Sequence, residues 1–155
     1  MQIFINNEQT ECVINCEKLE DQVRNILTAL ECEAKEVSIL LTDDKKMREL
    51  NKQYRNQDRS TDVLSFPQNG SKEIGLNHHL LGDVVISTTT ARRQATQHKL
   101  SLEHELVLLL AHGILHLLGY DHERNDGEAL YMRRKTRELF CNIFPDKKLA
   151  EPCDF

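Results

Sequence analysis

Apolar residues recur along this chain at two periods, one near two and one near three and a half, and the two periods alternate from end to end. Gln2 to Ile5 reads as a short strand. Leu19, Val23, Ile26, Leu27 and Leu30 follow at helical spacing, which predicts a helix over Glu17–Leu30. Val37 to Leu41 is a short run containing β-branched residues, hence a strand. A helix through Met47, Leu50 and Tyr54 comes next, with Asp43 or Asp44 able to cap it through a side-chain oxygen. Asp62 to Phe66 is strand-like and stops at Pro67, and Gln68 to His79 has the glycine and asparagine content of a loop. Gly82–Ser87 reads as a strand, followed by helices over Thr88–His98, Leu102–Leu118 and Glu128–Phe140.

This interleaving predicts an α+β fold: one small mixed sheet of about four strands packed with about five helices. Leu102–Leu118 is the most apolar helix and is expected at the centre. No repeat or linker interrupts the pattern. Residues 1–144 are expected to form a single catalytic domain, with a loose C-terminal tail over 145–155.

The central helix also carries chemistry. His112 and His116 are four residues apart, so their Cβ atoms share a face about 5–6 Å apart and both rings can aim at one point. Gly119 can take the left-handed conformation that ends helices, which lets the chain swing His122 back toward the pair. Three neutral nitrogen ligands at about 2.0–2.1 Å suit one zinc ion and leave a fourth position for water, the pattern of a catalytic site. Burying three imidazoles against leucines without such a ligand would be costly. The expected metal ligands are therefore His112, His116 and His122, with one Zn²⁺ per chain.

Charge and cysteine content narrow the class. A net charge of −5 rules out a generally basic nucleic-acid coat, so an anionic substrate must be drawn by a local patch. Five scattered cysteines, an odd number with no C-x-x-C pair, indicate reduced thiols rather than a disulfide frame. Cys12 and Cys16 have no second ligand pair nearby for a metal. The N-terminal residues lack the pattern of a signal peptide, and the apolar run broken by His112 and His116 is too short and polar to span a membrane. A cytoplasmic protein without membrane association is expected.

H-x₃-H-x₅-H, with glycine three residues after the second histidine, matches the zinc frame of metzincin proteases, whose general base is the glutamate following the first histidine. Here that position is Gly113, which cannot take a proton. A glutamate placed there is expected to be tolerated by the helix, being the better helix former. The run His112-Gly113-Ile114-Leu115-His116-Leu117-Leu118-Gly119-Tyr120-Asp121-His122 instead resembles the signature of the YbeY family of bacterial endoribonucleases. Two further blocks agree with that family: Asn51 to Arg55 with Asp58 and Thr61 to Pro67, and Leu81 to Ile86. The three blocks lie in order over about half the chain. The resemblance implies a single α+β domain with zinc on His112, His116 and His122. It implies cleavage of single-stranded RNA, with Arg55 and His112 as catalytic residues. It also implies ribosome-linked work: maturation of ribosomal RNA at the small-subunit 3′ end and removal of defective ribosomes, with the ribosome or ribosome-associated proteins as partners. A zinc metallopeptidase and a non-catalytic ribosome assembly factor are the alternatives.

Arg55 suits phosphate because a guanidinium forks onto two oxygens and stays charged. Asp121 either orients the His122 ring or caps a turn. Glu105, two turns before His112, is a distant base or, as the preferred expectation, a carboxylate favoured by the helix dipole. No residue clearly fills the general-base role, and a metal-bound water or the substrate's 2′-hydroxyl can each serve as nucleophile. Arg92, Arg93 and Lys99 are candidate phosphate contacts, whereas Arg133, Arg134, Lys135 and Arg137 read as a solvated helix face. With only eight Phe and Tyr residues and no Trp, base stacking is thinly provided for.

Overall fold

A computed structural model describes residues 2–68, 80–120 and 125–149. Its elements run β1 (Gln2–Asn7), α1 (Cys16–Ala29), β2 (Glu36–Thr42), α2 (Asp44–Arg55), β3 (Val63–Pro67), β4 (Leu80–Ser87), α3 (Thr88–His98), α4 (Leu102–Leu117) and α5 (Asp126–Ile143). Five helices and one four-stranded sheet realise the expected α+β class. The strand order is β1-β2-β4-β3. The first three strands are parallel, and β3 runs antiparallel along the edge of β4, so the sheet is mixed.

Pro67 does not stop β3 short, as the sequence suggested, but forms its last pair, opposite Gly82. An edge strand tolerates proline because its missing N–H faces no partner strand. Of the two candidate caps for α2, Asp43 does the work: its Oδ1 accepts from the Lys46 N–H at 2.9 Å.

Alternation along the strands separates two cores. Val37, Ile39 and Leu41 of β2 and Val84 and Ile86 of β4 face a large core shared with α1, α4 and α5. Val85 and Leu64 face the other way and pack with Met47 of α2. Helix α4 is the centre of the large core: from Glu105 to Leu117 every residue is buried except His112 and His116. Leu149, within the segment expected to be a loose tail, packs against this core. Among the described residues no single helix is long and apolar enough to cross a membrane.

Candidate metal and phosphate site

The two partly open residues beyond the first turn of α4 form a polar window in its buried stretch. The His112 and His116 Nε2 atoms stand 3.1 Å apart, with ring centroids separated by 4.7 Å and planes at 72°. Two nitrogens held by one tetrahedral ion at 2.0–2.1 Å lie about 3.3–3.4 Å apart, so this pair fits one edge of a zinc coordination sphere. Both rings turn the nitrogen remote from the backbone toward the same point, as a shared ion requires.

Helix α4 ends as the sequence indicated. Gly119 has φ +101°, its N–H donates to the His116 carbonyl at 3.0 Å, and the Tyr120 N–H donates to Leu115 at 3.1 Å. This pair of bonds is the Schellman arrangement, in which a left-handed residue just past the helix satisfies its last carbonyls. The chain therefore leaves α4 within three residues of His116. The expected third ligand His122 and its neighbour Asp121 lie outside the described residues. Among the described residues no cluster of three His, Cys, Asp or Glu side chains is present.

Gly113 occupies a different place from the one its protease counterpart would need. A Cβ added there would stand 2.9 Å from Val84 Cγ1, 3.2 Å from Ser65 Oγ and 3.4 Å from Val63 Cγ2. Position 113 thus faces the sheet, and its glycine lets α4 lie close on β3 and β4. The expectation that glutamate is harmless there considered only helix propensity. The site is closed by strand side chains, and a carboxylate would be driven into the core.

The same close approach ties Arg55 to the histidine helix. Ser65 of β3 donates its buried hydroxyl to the Gly113 carbonyl at 3.0 Å. The Ser65 carbonyl in turn accepts from Arg55 Nη2 at 2.8 Å. Two hydrogen bonds through one strand residue therefore connect Arg55 to the peptide next to His112. The guanidinium also lies 5.8 Å from the centroid of the Phe66 ring, a cation–π contact. Arg55 comes from the last turn of α2, which ends at Asn56 in the left-handed region with φ +56°. Asn51, buried one turn earlier, donates to the Arg59 carbonyl at 2.9 Å and holds the returning loop. Asp83, the cross-strand neighbour of Phe66, has its carboxyl pushed up by burial.

Other candidates are committed elsewhere. Glu105 is 1% exposed and bonds His98 Nδ1 at 2.6 Å. Burial raises its pKa against the lowering effect of His98. Its partner is thus the end of α3, and the distant-base role has no support. Arg93 pairs with Asp44 at 3.2 Å, and Arg92 stands 4.0 Å from Glu11. Lys99 is the left-handed cap of α3. Arg133 and Arg134 are exposed on α5, and Lys135 pairs with Glu138 at 3.4 Å. Cys12 and Cys16 are free thiols. Ser65 and Phe66 stand in the sequence only as part of the Thr61–Pro67 block, with no role of their own, although a serine facing inward between Val63 and Pro67 breaks the apolar alternation of a strand and so marks a polar contact.

Comparisons with known proteins agree on the family and the fold. The family model described as Endoribonuclease YbeY matches residues 4–143. The protein named Endoribonuclease YbeY of Syntrophotalea carbinolica is 44% identical over 142 residues, covering 91% of this chain and 95% of its own. Its namesake of Sulfurihydrogenibium sp. is 47% identical over 138 residues, covering 89% and 90%. That of Aquifex aeolicus is 49% identical over 123 residues, covering 79% and 77%. Among solved structures, the solution structure of TM1509 from Thermotoga maritima superposes with a TM-score of 0.65 at 27% identity, covering 99% of each chain.

Proposed function

Because the chain belongs to the endoribonuclease YbeY family, we propose that it is a zinc-dependent, single-strand-specific endoribonuclease of ribosomal RNA maturation. Its work is processing of the small-subunit 3′ end, with a part in ribosome quality control. The carrying observation is the pair of convergent Nε2 atoms in a polar window of the buried stretch of α4, joined through Ser65 to Arg55. His112, His116 and His122 would hold one zinc, which when bound polarises a phosphoryl oxygen and brings the pKa of its water to about 7.

Arg55 and His112 are the proposed catalytic residues, His112 acting as a ligand. The guanidinium presents a fork of donors to the phosphoryl oxygens, where negative charge grows as the phosphodiester opens. Its bond to the Ser65 carbonyl and its place over Phe66 fix that fork before substrate arrives, which lowers the ordering cost. Gly113, closed in by Val84, Ser65 and Val63, leaves no room for a base at that position, which disfavours the peptidase alternative. A three-ligand site disfavours a purely structural zinc and with it the non-catalytic assembly factor. The proposal takes residues 1–144 as the catalytic domain and places the protein in the cytoplasm. There the ribosome or ribosome-associated proteins would deliver RNA.

The test uses one metal-loaded preparation against structured RNA and casein, with chelator controls and elemental analysis. RNA should be cut within single-stranded segments, casein should stay intact, and about one zinc should be found per chain. His116→Ala should lose most of the zinc, and its affinity should fall as pH drops below roughly 6 because ligation needs neutral imidazole. Full zinc in His116→Ala would reject the ligand set, and casein hydrolysis would revive the peptidase.

A further inference from the structure

Tyr54 is left without a task by the proposed chemistry, yet the residue is 59% exposed beside Arg55 in the last turn of α2. It meets Phe66 at a centroid distance of 5.3 Å and an interplanar angle of 67°. An edge-to-face contact covers at most one face of either ring, so Tyr54 keeps one face open to solvent. Arg55 rests on the same Phe66, 5.8 Å from its centroid. Phe66 is itself packed against the small core of Met47, Leu64 and Val85. One anchored ring therefore braces both an open aromatic face and the guanidinium proposed to meet phosphate.

The surroundings match a nucleotide rather than an apolar peptide. Of the cations on α2, Lys45, Arg48 and Lys52 lie with Glu49 on the side of the helix away from Tyr54, whereas Phe66 brings Arg55 beside it. Arg48 shares its charge with Asp58 at 2.7 Å, and these four cations are exposed. A flat aromatic face beside a guanidinium, both braced on the Phe66 ring, suits a ligand with flat faces and an anionic backbone. Base-on-aromatic stacking tolerates any sequence because every base has such a face.

We propose that Tyr54 is a base-stacking subsite, holding the nucleobase that adjoins the phosphate contacted by Arg55. This rests on the ribonuclease reading above and deepens it. The thin supply of aromatics in the chain is then no obstacle, because a single braced ring next to Arg55 positions the strand.

The test measures binding of a short single-stranded RNA by the full-length, metal-loaded protein across a range of salt. Companion oligonucleotides each carry one abasic position. Tyr54→Ala should bind the intact oligonucleotide about tenfold more weakly, and Tyr54→Phe should bind as wild type. The slope of log affinity against log salt should stay unchanged in Tyr54→Ala. Loss of a phosphate contact through a displaced Arg55 would instead flatten it by about 0.7. One abasic position should erase the difference between wild type and Tyr54→Ala. The chain has no Trp, so Tyr54→Trp supplies a lone emission signal that single-stranded RNA should quench, which keeps the proposal falsifiable if the alanine variant does not fold. Equal affinity of wild type and Tyr54→Ala in a protein that cuts RNA would overturn the subsite alone, as would an unquenched Tyr54→Trp. A wild type that neither binds nor cuts RNA would overturn the ribonuclease reading together with it.

Discussion

The two helices that carry the candidate site are built in opposite ways. From Glu105 to Leu117, helix α4 is buried apart from His112 and His116. Helix α2 buries only Met47 and Asn51. The candidate metal half of the site therefore stands on the core. The candidate phosphate half is an exposed helix end, held to the sheet by a hydrogen bond to Ser65 and a ring contact with Phe66. Substitutions near the histidines should register first as lost folding, whereas substitutions at the end of α2 should register as lost activity in a folded protein.

The largest expected effect lies at Gly113. Gly113→Glu should fail to fold or lose at least about 3 kcal/mol, because overpacking and an unpaired buried carboxylate add together. Gly113→Ala should lose about 1–3 kcal/mol, since its Cβ would press on Val84 Cγ1 at 2.9 Å. Val84→Ala combined with Gly113→Ala should recover part of that loss, as expected of residues in contact. Urea unfolding of the four proteins checks this. Wild-type stability in Gly113→Glu would mean that α4 can lift from the sheet, and the contrast between the two helices would fail.

Next comes Arg55. Arg55→Ala should keep its zinc and its unfolding midpoint while cutting RNA at least about 100-fold more slowly, the usual scale for removing one donor aimed at developing charge. Arg55→Lys should recover only part of the rate, because a point charge cannot fork onto two oxygens. Elemental analysis, urea unfolding and single-turnover cleavage separate the two effects. A zinc loss in Arg55→Ala would show that the halves of the site are one mechanical unit.

The sequence made one half of this site far more legible than the other, and the contrast between the helices explains why. His112 and His116 sit on one regular helix, so their spacing alone determines that their rings can meet, and Gly119 announces the helix end through its left-handed conformation. The four strands and five helices were likewise readable, because each buries one face and so repeats its period. Arg55 was singled out only through the resemblance to a family, since its neighbours come from another strand. Nothing in the linear order of Arg55, Ser65 and Gly113 says that a carbonyl and a hydroxyl of one serine link them. Gly113 misled for the same reason. Its helix propensity is a local property, whereas the contact with Val84 exists only once the sheet has formed.

The smallest expected effect sharpens the comparison from the polar side of α2. Asp44 opens that helix, and its Oδ1 accepts hydroxyls from Ser60, Ser87 and Thr90 at 2.9, 2.6 and 2.5 Å, while Oδ2 receives Arg93 at 3.2 Å. Burial by itself raises its pKa, but the four bonds together outweigh burial and hold it below the ordinary carboxylate value. A carboxylate whose pKa is lower folded than unfolded stabilises the fold fully above its unfolded pKa of about 3.9, and that stability is lost as pH falls through the folded value. Asp44→Asn keeps the shape but loses the charge that strengthens these bonds, so it should cost about 1 kcal/mol at pH 7. The difference from wild type should begin to shrink as pH falls below about 4, where the unfolded carboxyl takes up its proton, and should vanish once pH has passed the lower folded value. Urea midpoints at pH 7 and at successive steps below pH 4 test this. If the network only trims stability, RNA cleavage by Asp44→Asn at pH 7 should match wild type, because Asp44 and Arg55 stand at opposite ends of α2 and Asn51 anchors the loop independently. A cleavage loss at unchanged zinc content would instead mean that Asp44 sets the position of α2, and with it the reach of Arg55 toward β3.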